Sequence, residues 1–215
     1  MKLSRTMLTI PDKVIVAVSG GPDSMALLEF CRLGKKNVTA LNIHHGTQFS
    51  SEAYQLVCSY CEKHDIPLED TSIPQPEAQT PNKEAYWHDG RAEIYKHMSN
   101  YFSGRPVLTA HTLDDAIEWW LLTSFKGNSR LLSYTGEAVN ASGERIVLRP
   151  ALLTDRAELR SFADRHGVPY LDDPTNIGYH NDRARLRTLP LEQMFPYIRG
   201  TIRNKLEACN GGSVS

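Results

Sequence analysis

The stretch KVIVAVSGGPDSMALL, residues 13–28, decides how the chain folds. Its first part, 13–19, is an apolar and β-branched run, which is typical of a buried parallel strand. Apolar residues at helical spacing follow over 23–33. A glycine-rich turn joins the two parts. A strand that passes through such a turn into a helix is the arrangement in which α/β proteins bind phosphate groups.

The rest of the chain continues the alternation of strands and helices. Further strands are predicted at 37–45, 68–73, 105–111 and 145–153, and further helices at 50–65, 83–102, 112–125 and 154–166. This order predicts an α/β fold, a Rossmann-like doubly wound parallel sheet of about five strands. We expect one domain over 1–190, followed by a small basic helical appendage over 191–215 that ends in a disordered C-terminus.

Composition sets limits on the function. The 215 residues carry a net charge of −1, which argues against a protein coated with nucleic acid but allows a local basic patch. The sequence contains no apolar run long enough for a transmembrane helix, and its N-terminus lacks the apolar core of a signal peptide. With four cysteines and no signal peptide, we expect reduced thiols and a cytoplasmic location.

The turn after the first strand is a candidate nucleotide-binding loop. Its candidate ligand-binding residues are Ser19, Gly20, Gly21, Pro22, Asp23 and Ser24. Glycines let the backbone approach a ligand at positive φ, and the start of the helix offers free N–H groups to an anion. The carboxylate of Asp23 would repel a polyphosphate unless a divalent cation lay between them, so the loop indicates Mg²⁺ and ATP. The alternative is a plain turn in which Asp23 or Ser24 caps the helix.

A second group of polar residues lies in TAHTLDDAIEWWLL, residues 109–122. An apolar stripe at helical spacing consists of Leu113, Ile117, Trp120 and Leu121. His111, Asp115 and Glu118 lie nearly opposite this stripe and should face solvent or a cleft. His111 also follows the fourth strand, at the edge of the sheet where ligands bind. In the simpler alternative, Asp115 forms a capping box with Thr112 and Glu118 is a solvated charge.

Five motifs together resemble one known family. SGGPDS resembles the PP-loop of the N-type ATP pyrophosphatases, and AHTLDD-x-x-E resembles the AHHxxDDxxET segment of the tRNA(Ile)-lysidine synthetases. KEAYWHDGR is similar to their EAxxRxxR helix, and RPALLTDRAEL to their RPLL…RxEL segment with a later D-x-S-N. DRARLRTLP is similar to RNxxRxxxLP. The matching positions outside the loop include Glu84, Arg91, Arg149, Arg156, Asp173, Asn176, Arg183 and Arg187.

The resemblance implies a two-step reaction on tRNA. Such enzymes use ATP to adenylate O2 of the wobble cytidine in an isoleucine tRNA with a CAU anticodon. Free lysine then attacks C2 through its ε-amine and displaces AMP, which gives lysidine. By resemblance, the catalytic residues are Asp23, His111 and Asp115, and Asp23 and Asp115 are also candidate metal ligands. Substrate or RNA contacts are implied for Glu84, Arg91, Glu118, Arg183 and Arg187.

The chemistry of lysine fits these roles. The ε-amine has a pKa near 10.4, so forming the neutral nucleophile at pH 7 costs about 4–5 kcal/mol. A carboxylate such as Asp115 can bind the ammonium but raises its pKa further. A neutral histidine can accept the proton as the new bond forms. We therefore predict cation binding by Asp115 and proton transfer by His111, with Glu118 serving either lysine or the metal.

The sequence also departs from the family pattern. Gln48, His88, Thr112 and Ala184 replace family residues. The chain is expected to be a short form without the C-terminal domains that grip the tRNA acceptor end. The predicted partners are the tRNA anticodon loop and free lysine, with no membrane partner. The sequence leaves the oligomeric state open between a monomer and a homodimer.

Two other functions remain open. Cys58 and Cys61 are three residues apart in a predicted helix, and thiolating PP-loop enzymes use cysteines to hold an iron–sulfur cluster or to carry sulfur. Packed cysteines are the simpler interpretation. A catalytically impaired protein that only binds ATP or RNA is the second alternative. A basic segment over 183–205 suits phosphate contacts, although a solvated basic tail fits the part beyond 195 equally well.

Overall fold

The computed structural model describes residues 10–44, 46–173 and 182–211. The strands are β1 (Lys13–Ala17), β2 (Asn37–His44), β3 (Leu68–Ser72), β4 (Val107–Leu108) and β5 (Val147–Leu148). The helices are α1 (Pro22–Leu33), α2 (Gln48–Lys63), α3 (Lys83–Tyr101), α4 (Leu113–Phe125), α5 (Arg156–Arg165), α6 (Asp182–Arg187), α7 (Leu191–Met194) and α8 (Ile198–Gly211). None of the helices in the described residues is both long and apolar enough to cross a membrane.

The five strands form one parallel sheet in the order β3-β2-β1-β4-β5. Successive side chains of a strand point to opposite faces, and β1 uses this alternation to build two cores. Val14 and Val16 pack with α1, α2 and α5 on one face, whereas Ile15 packs with Met98 of α3 on the other. The predicted doubly wound α/β sheet is therefore confirmed.

The strand order fixes where a ligand can bind. The chain builds the sheet outward from β1 to β2 and β3, and then returns to the other side of β1 with β4 and β5. The segments that follow β1 and β4 therefore diverge above the same edge of the sheet and leave a crevice between them. Both predicted groups of polar residues lie in these two segments.

The outer strands β4 and β5 are much shorter than predicted. Runs at 105–111 and 145–153 were expected to be strands, but regular pairing covers two residues in each. Pro106 precedes β4 and Pro150 follows β5, and proline has no N–H to give to a ladder. Single hydrogen bonds such as Thr109 N–H to the Leu148 carbonyl (2.9 Å) extend the pairing a little further.

The C-terminal helix α8 completes a second hydrophobic core that it shares with α4. Ile198, Ile202 and Leu206 of α8 are buried against α4, which contributes its predicted apolar stripe. The predicted helical appendage is therefore present as α7 and α8. Residues 212–215 of the predicted disordered terminus lie outside the described residues.

Candidate active site

The loop after β1 depends on glycine at one position. Gly20 has φ +80°, and a Cβ at this position would lie 2.9 Å from the Cβ of Ala53 in α2. Both the backbone conformation and the lack of space therefore require glycine here. Gly21 differs from the prediction, because its φ is −78° and not positive. A Cβ on Gly21 would approach only the Ser19 hydroxyl, at 3.5 Å, so this side of the loop is open to a ligand.

The start of α1 carries no side-chain cap. Gly21 is the N-cap residue, and neither Asp23 nor Ser24 caps the helix, which contradicts the simpler interpretation of the loop. The Ser24 hydroxyl instead donates to the Gly21 carbonyl (3.1 Å) and accepts from the Ser19 N–H (3.1 Å). Since a helix leaves its first N–H groups without intrahelical partners, this uncapped end suits an anion.

Asp23 lies in the first turn of α1 with one oxygen unused. Its Oδ1 atom is buried without a hydrogen-bond partner, and Oδ2 lies 3.5 Å from Nε of Arg156. Burial raises the pKa of the Asp23 carboxyl to about 7, although Arg156 opposes the shift. A buried oxygen without a partner fits a divalent cation. No group of three or more histidine, cysteine or acidic side chains in the described chain could hold a metal ion. A cation here would therefore need phosphate oxygens as further ligands, as Mg²⁺ commonly does.

At the start of α4, the two carboxylate oxygens of Asp115 have different contacts. Its Oδ2 atom accepts from the Thr112 N–H (2.8 Å) and hydroxyl (2.9 Å), so the capping box exists. Its Oδ1 atom faces the crevice and lies 3.1 Å from Arg156 and 3.4 Å from Arg183. Burial acts to raise the pKa of Asp115, but His111 and the guanidinium groups of Arg156 and Arg183 hold it below its usual value. Asp115 is therefore an anion that caps the helix and faces the crevice.

Glu118 is buried, which contradicts the interpretation of a solvated charge. Its side chain is 7% exposed. Arg187 donates to it through Nε (2.8 Å) and Nη2 (3.1 Å), and Arg156 and Arg183 each lie 3.4 Å away. The desolvation cost of such a buried carboxylate is offset by these three cations.

His111 lies between β4 and α4 and is held by one neighbour. Its Nδ1 atom lies 2.9 Å from the Thr109 hydroxyl. Burial lowers the pKa of His111 to about 4; Asp115 opposes this shift, and Arg149 adds to it. The ring is therefore neutral at pH 7 and can accept a proton.

The two predicted groups line one cleft of about 960 Å³. Its walls include Ser19, Gly21, Pro22, Asp23, Ser24, Arg91, Tyr95, His111, Asp115, Glu118, Arg156, Asp173 and Arg187. Of the other predicted residues, Gly20 shapes the loop and Arg183 contacts the acidic side chains. The side chain of Glu84 and all of Asn176 lie outside the described residues.

Sequence reasoning assigned no role in the site to Arg156, which contacts both predicted groups. Its guanidinium lies within 3.5 Å of Asp23, Asp115 and Glu118. Its backbone N–H donates to Asp114 (2.7 Å), a residue that was also missed. The sequence feature that could have identified Arg156 was its match to the arginine of the RxEL segment in the family that the chain resembles.

The cysteines are packed as the simpler interpretation expected. Cys61 and Cys31 are buried in the core around α1 and α2. Cys58 is half-buried and its thiol donates to Glu62 (3.5 Å). Burial raises the pKa of Cys61 to about 11 and also raises that of Cys58, so both are protonated thiols at neutral pH. Thiolates, not thiols, bind metals and attack sulfur.

A parallel sheet with a phosphate-type loop at its switch point defines an α/β nucleotide-binding protein. Residues 3–194 match the family described as PP-loop domain, and the chain belongs to that family.

Two curated relatives give a more specific similarity than the family does. The chain is 32% identical over 187 residues to tRNA(Ile)-lysidine synthase of Enterococcus faecalis, covering 83% of this chain and 40% of that protein. It is 32% identical over 206 residues to the enzyme of the same name from Thermus thermophilus, covering 92% of this chain and 39% of that protein. The chain thus spans less than half the length of these relatives.

A solved structure confirms the fold. The U34-tRNA thiolase NcsA from Methanococcus maripaludis, solved with its 4Fe–4S cluster, superposes with a TM-score of 0.77 at 18% identity. The alignment covers 99% of this chain and 76% of that one. At this level of identity the likeness concerns the PP-loop ATPase fold and not the reaction.

Proposed function

We propose that this chain is an ATP-dependent tRNA-modifying ligase that adenylates the wobble cytidine of tRNA(Ile) and joins lysine to it to form lysidine. The observation that carries the proposal is that a nucleotide-type loop and a neutral histidine beside buried carboxylates line the same cleft. The names of the relatives in Enterococcus and Thermus support the same reaction.

The first half-reaction would take place at the loop. Ser19, Gly20, Gly21 and the first turn of α1 would hold the phosphates of ATP, because their N–H and hydroxyl groups donate to anions. Asp23 would hold a Mg²⁺ ion that neutralises the charge of the departing pyrophosphate. A bound cation would also lower the pKa of Asp23, since a nearby positive charge favours the carboxylate.

The second half-reaction would take place beside α4. Asp115 and Glu118 would attract the lysine ammonium, which would compete with Arg156 and Arg187 for these carboxylates. His111 would then accept the proton of the ε-amine through Nε2, while Thr109 holds Nδ1. Neutral His111 suits this role because a protonated imidazole could not accept a proton.

The direct test is mass spectrometry of tRNA nucleosides. A tRNA(Ile) transcript with a CAU anticodon is incubated with the purified chain, ATP, Mg²⁺ and lysine. We expect lysidine at position 34 together with AMP and pyrophosphate, and no product from an Asp23→Ala variant. Cytidine that stays unmodified in the presence of folded wild-type protein would exclude the proposal.

Thiolation is less well supported. Two of the described cysteines are buried in the core, and the pKa values of Cys58 and Cys61 are raised. The similar thiolase supports only the fold. The same nucleoside analysis detects a sulfur-containing base, which would favour this alternative.

A further inference from the structure

One arginine of α8 joins the starts of two helices at the cleft. Nη2 of Arg199 donates to Oδ1 of Asp114 (2.8 Å), in the first turn of α4. Nη1 of the same guanidinium donates to Oδ1 of Asp155 (2.8 Å), the N-cap residue of α5. Arg199 and Asp114 both line the cleft. A single side chain of the C-terminal helix therefore holds the first turns of α4 and α5 together.

Asp155 does not have the usual role of its position. An aspartate at the N-cap commonly accepts from the N–H groups of its own helix, but the Asp155 side chain makes no such bond. Its Oδ1 atom accepts from Arg199 instead, and its Oδ2 atom lies 3.5 Å from Nη2 of Arg203. An interaction between helices thus takes the place of local capping, so the position of α5 depends on α8.

The contact continues from Asp114 into the candidate active site. Oδ2 of Asp114 accepts from the backbone N–H of Arg156 (2.7 Å), the first residue of α5. The guanidinium of Arg156 lies within 3.5 Å of three acidic side chains, Asp23, Asp115 and Glu118. Two hydrogen bonds in series therefore link α8 to the residue that contacts both predicted groups of the site.

Electrostatic repulsion makes this link important for the geometry. Asp114 and Asp155 share the guanidinium of Arg199, and without this common cation the two carboxylates would repel each other. The Asp114 side chain is only 19% exposed, so solvent screens the repulsion incompletely. We therefore expect the loss of Arg199 to move the start of α5, and Arg156 with it.

A contact with an RNA phosphate is the competing role for Arg199, because it lies in the basic segment 183–205. Two of its nitrogen atoms, however, donate to protein carboxylates at 2.8 Å. A phosphate would have to displace a carboxylate from a charge-assisted hydrogen bond. The observed contacts therefore favour a role within the protein.

We propose that Arg199 is a positioning residue of the active site, which fixes the starts of α4 and α5 so that Arg156 lies between Asp23 and the carboxylates of α4. This inference rests on the proposed function, in which Asp23 holds Mg²⁺ and the carboxylates of α4 attract the lysine ammonium. Arg199 acts through Asp114 and Arg156 and does not touch the reacting atoms. The C-terminal helix thereby becomes part of the catalytic geometry.

A double-mutant cycle tests this role. Arg199→Gln, Asp114→Asn and the double variant are compared with wild type, and Arg199→Lys is the conservative variant. Asp114→Asn keeps an oxygen that can accept from the Arg156 N–H and removes the charge that pairs with Arg199. Arg165→Gln is the matched control, because it removes an arginine charge from the exposed C-terminal end of α5.

Three quantities are measured for each protein. The first is kcat, with KM, for lysidine formation, and the second is the equilibrium affinity for an anticodon stem–loop. The third is the hydrogen-exchange rate of the N–H groups in the first turn of α5, compared with those of the buried strand β1. The exchange rate reports the position of this turn without any turnover.

We expect kcat to fall by about tenfold or more in Arg199→Gln, because small displacements of a reactive site cost large factors in rate. Exchange in the first turn of α5 should become faster while that of β1 stays unchanged, and the stem–loop affinity should match the control. Asp114→Asn should lose rate in the same way, and the double variant should lose no more than the worse single variant. Arg199→Lys should recover part of the rate, because lysine keeps the charge but lacks the planar fork.

A kcat equal to that of the control, or unchanged exchange in the first turn of α5, would overturn the positioning role. Losses in kcat that multiply in the double variant would also overturn it, because Arg199 and Asp114 would then act independently. A fall in stem–loop affinity beyond that of the control would assign Arg199 to a phosphate contact instead.

If Arg199→Gln does not fold, the cycle is carried out with Arg199→Lys, for which smaller losses of the same pattern are expected. A wild-type chain that makes no lysidine contradicts the proposed function alone. Hydrogen exchange in the first turn of α5 then decides whether Arg199 positions this helix.

Discussion

Asp23 and His111 have pKa values that burial shifts in opposite directions. The pKa of Asp23 is raised to about 7 and that of His111 is lowered to about 4. Native Asp23 binds its proton more tightly than in the unfolded chain, so its contribution lowers the unfolding free energy as pH rises from about 4 to 7. Native His111 binds its proton less tightly, so its contribution raises the unfolding free energy as pH rises from about 4 to 6.5. In the wild type these effects largely cancel.

Asp23→Asn should separate stability from activity. We expect the variant to exceed wild type in unfolding free energy by roughly 1–3 kcal/mol at pH 8, with the gain vanishing toward pH 4, because the buried charge is gone. ATP–pyrophosphate exchange with substrate RNA should be lost. Urea denaturation in EDTA at several pH values measures the first effect, with the exposed Asp89→Asn as control. A gain that is equal at pH 4 and pH 8 would contradict the assigned pKa.

His111→Gln should have the opposite pH dependence. Wild type must take up a proton on His111 below pH 6.5 to unfold, and the variant does not. We therefore expect the variant to gain about 1–3 kcal/mol relative to wild type as pH falls from 7 to 4. Urea denaturation at the same series of pH values measures this gain, and the control is His88→Gln, which changes an exposed histidine. No relative gain at acid pH would mean that His111 is not buried as described.

At the scale of elements, the β1–α1 loop offers a matched pair of glycines. Gly20→Ala should lower the unfolding free energy by roughly 1–3 kcal/mol, because alanine is strained at φ +80° and would meet Ala53. Gly21 has an ordinary φ and space for a Cβ, so Gly21→Ala should change the unfolding free energy little. Its affinity for ATP should fall, because the Cβ would lie on the side of the loop that is open to a ligand. Denaturation and nucleotide binding measure the two effects. Equal stability losses in both variants would contradict the loop geometry.

Helix α2 allows a test of the cysteines. Cys61 is 2% exposed in the core, so the double change of Cys58 and Cys61 to Ala should cost about 1–2 kcal/mol through a small cavity. Catalysis should be retained, since neither thiol faces the cleft. Thermal unfolding and the nucleoside assay measure both. An active wild type with an inactive but folded double variant would instead favour thiolation.

The sequence predicted the central elements well and the outer strands poorly. Residues 13–19 form an apolar run, and Val14, Ile15 and Val16 are buried because both faces of the sheet are covered. Pro106 and Pro150 interrupt the apolar runs at β4 and β5. The apolar residues there correctly indicated burial, but they did not indicate how many residues pair in the sheet. The capping box could be predicted from the spacing of Thr112 and Asp115, because it depends only on residues that are close in sequence.

The composition of the active site was harder to predict. His111, Asp115 and Glu118 were found because helical spacing places them on one side of α4. Their arginine partners come from α5 and α6, and no local pattern links residues so far apart in sequence. Glu118 therefore could not be distinguished from a solvated charge until the tertiary contacts were known.

At the scale of the whole molecule, α8 ties the C-terminal segment to the cleft. Arg199 bonds Asp114 of α4 and Asp155 before α5, each at 2.8 Å, and Arg203 lies 3.5 Å from Asp155. Part of the basic segment predicted for RNA thus compensates acidic residues of the protein itself. From the sequence, this segment fitted phosphate contacts and a solvated basic tail equally well, and the burial of its apolar residues against α4 was not predicted.

The buried face of α8 gives a stability prediction. Ile202 is fully buried against α4, so Ile202→Ala should lower the unfolding free energy by about 2–5 kcal/mol. Thr201→Ala on the exposed side of the same helix is the control and should change it by less than about 0.5 kcal/mol. Urea denaturation measures both. Similar small losses for the two variants would show that α8 is not part of the core.

In the proposed function, one cleft carries two half-reactions whose residues are separable. The most direct test is single-turnover pyrophosphate release alongside lysine incorporation in His111→Ala, across a pH series with tRNA(Ile), Mg²⁺-ATP and lysine. We expect pyrophosphate release at the wild-type rate and lysine transfer slowed by about 10²–10⁴-fold, with partial rescue at higher pH because more lysine is then neutral. If His111→Ala abolishes pyrophosphate release as completely as lysine transfer, His111 belongs to adenylation and the division of roles is wrong.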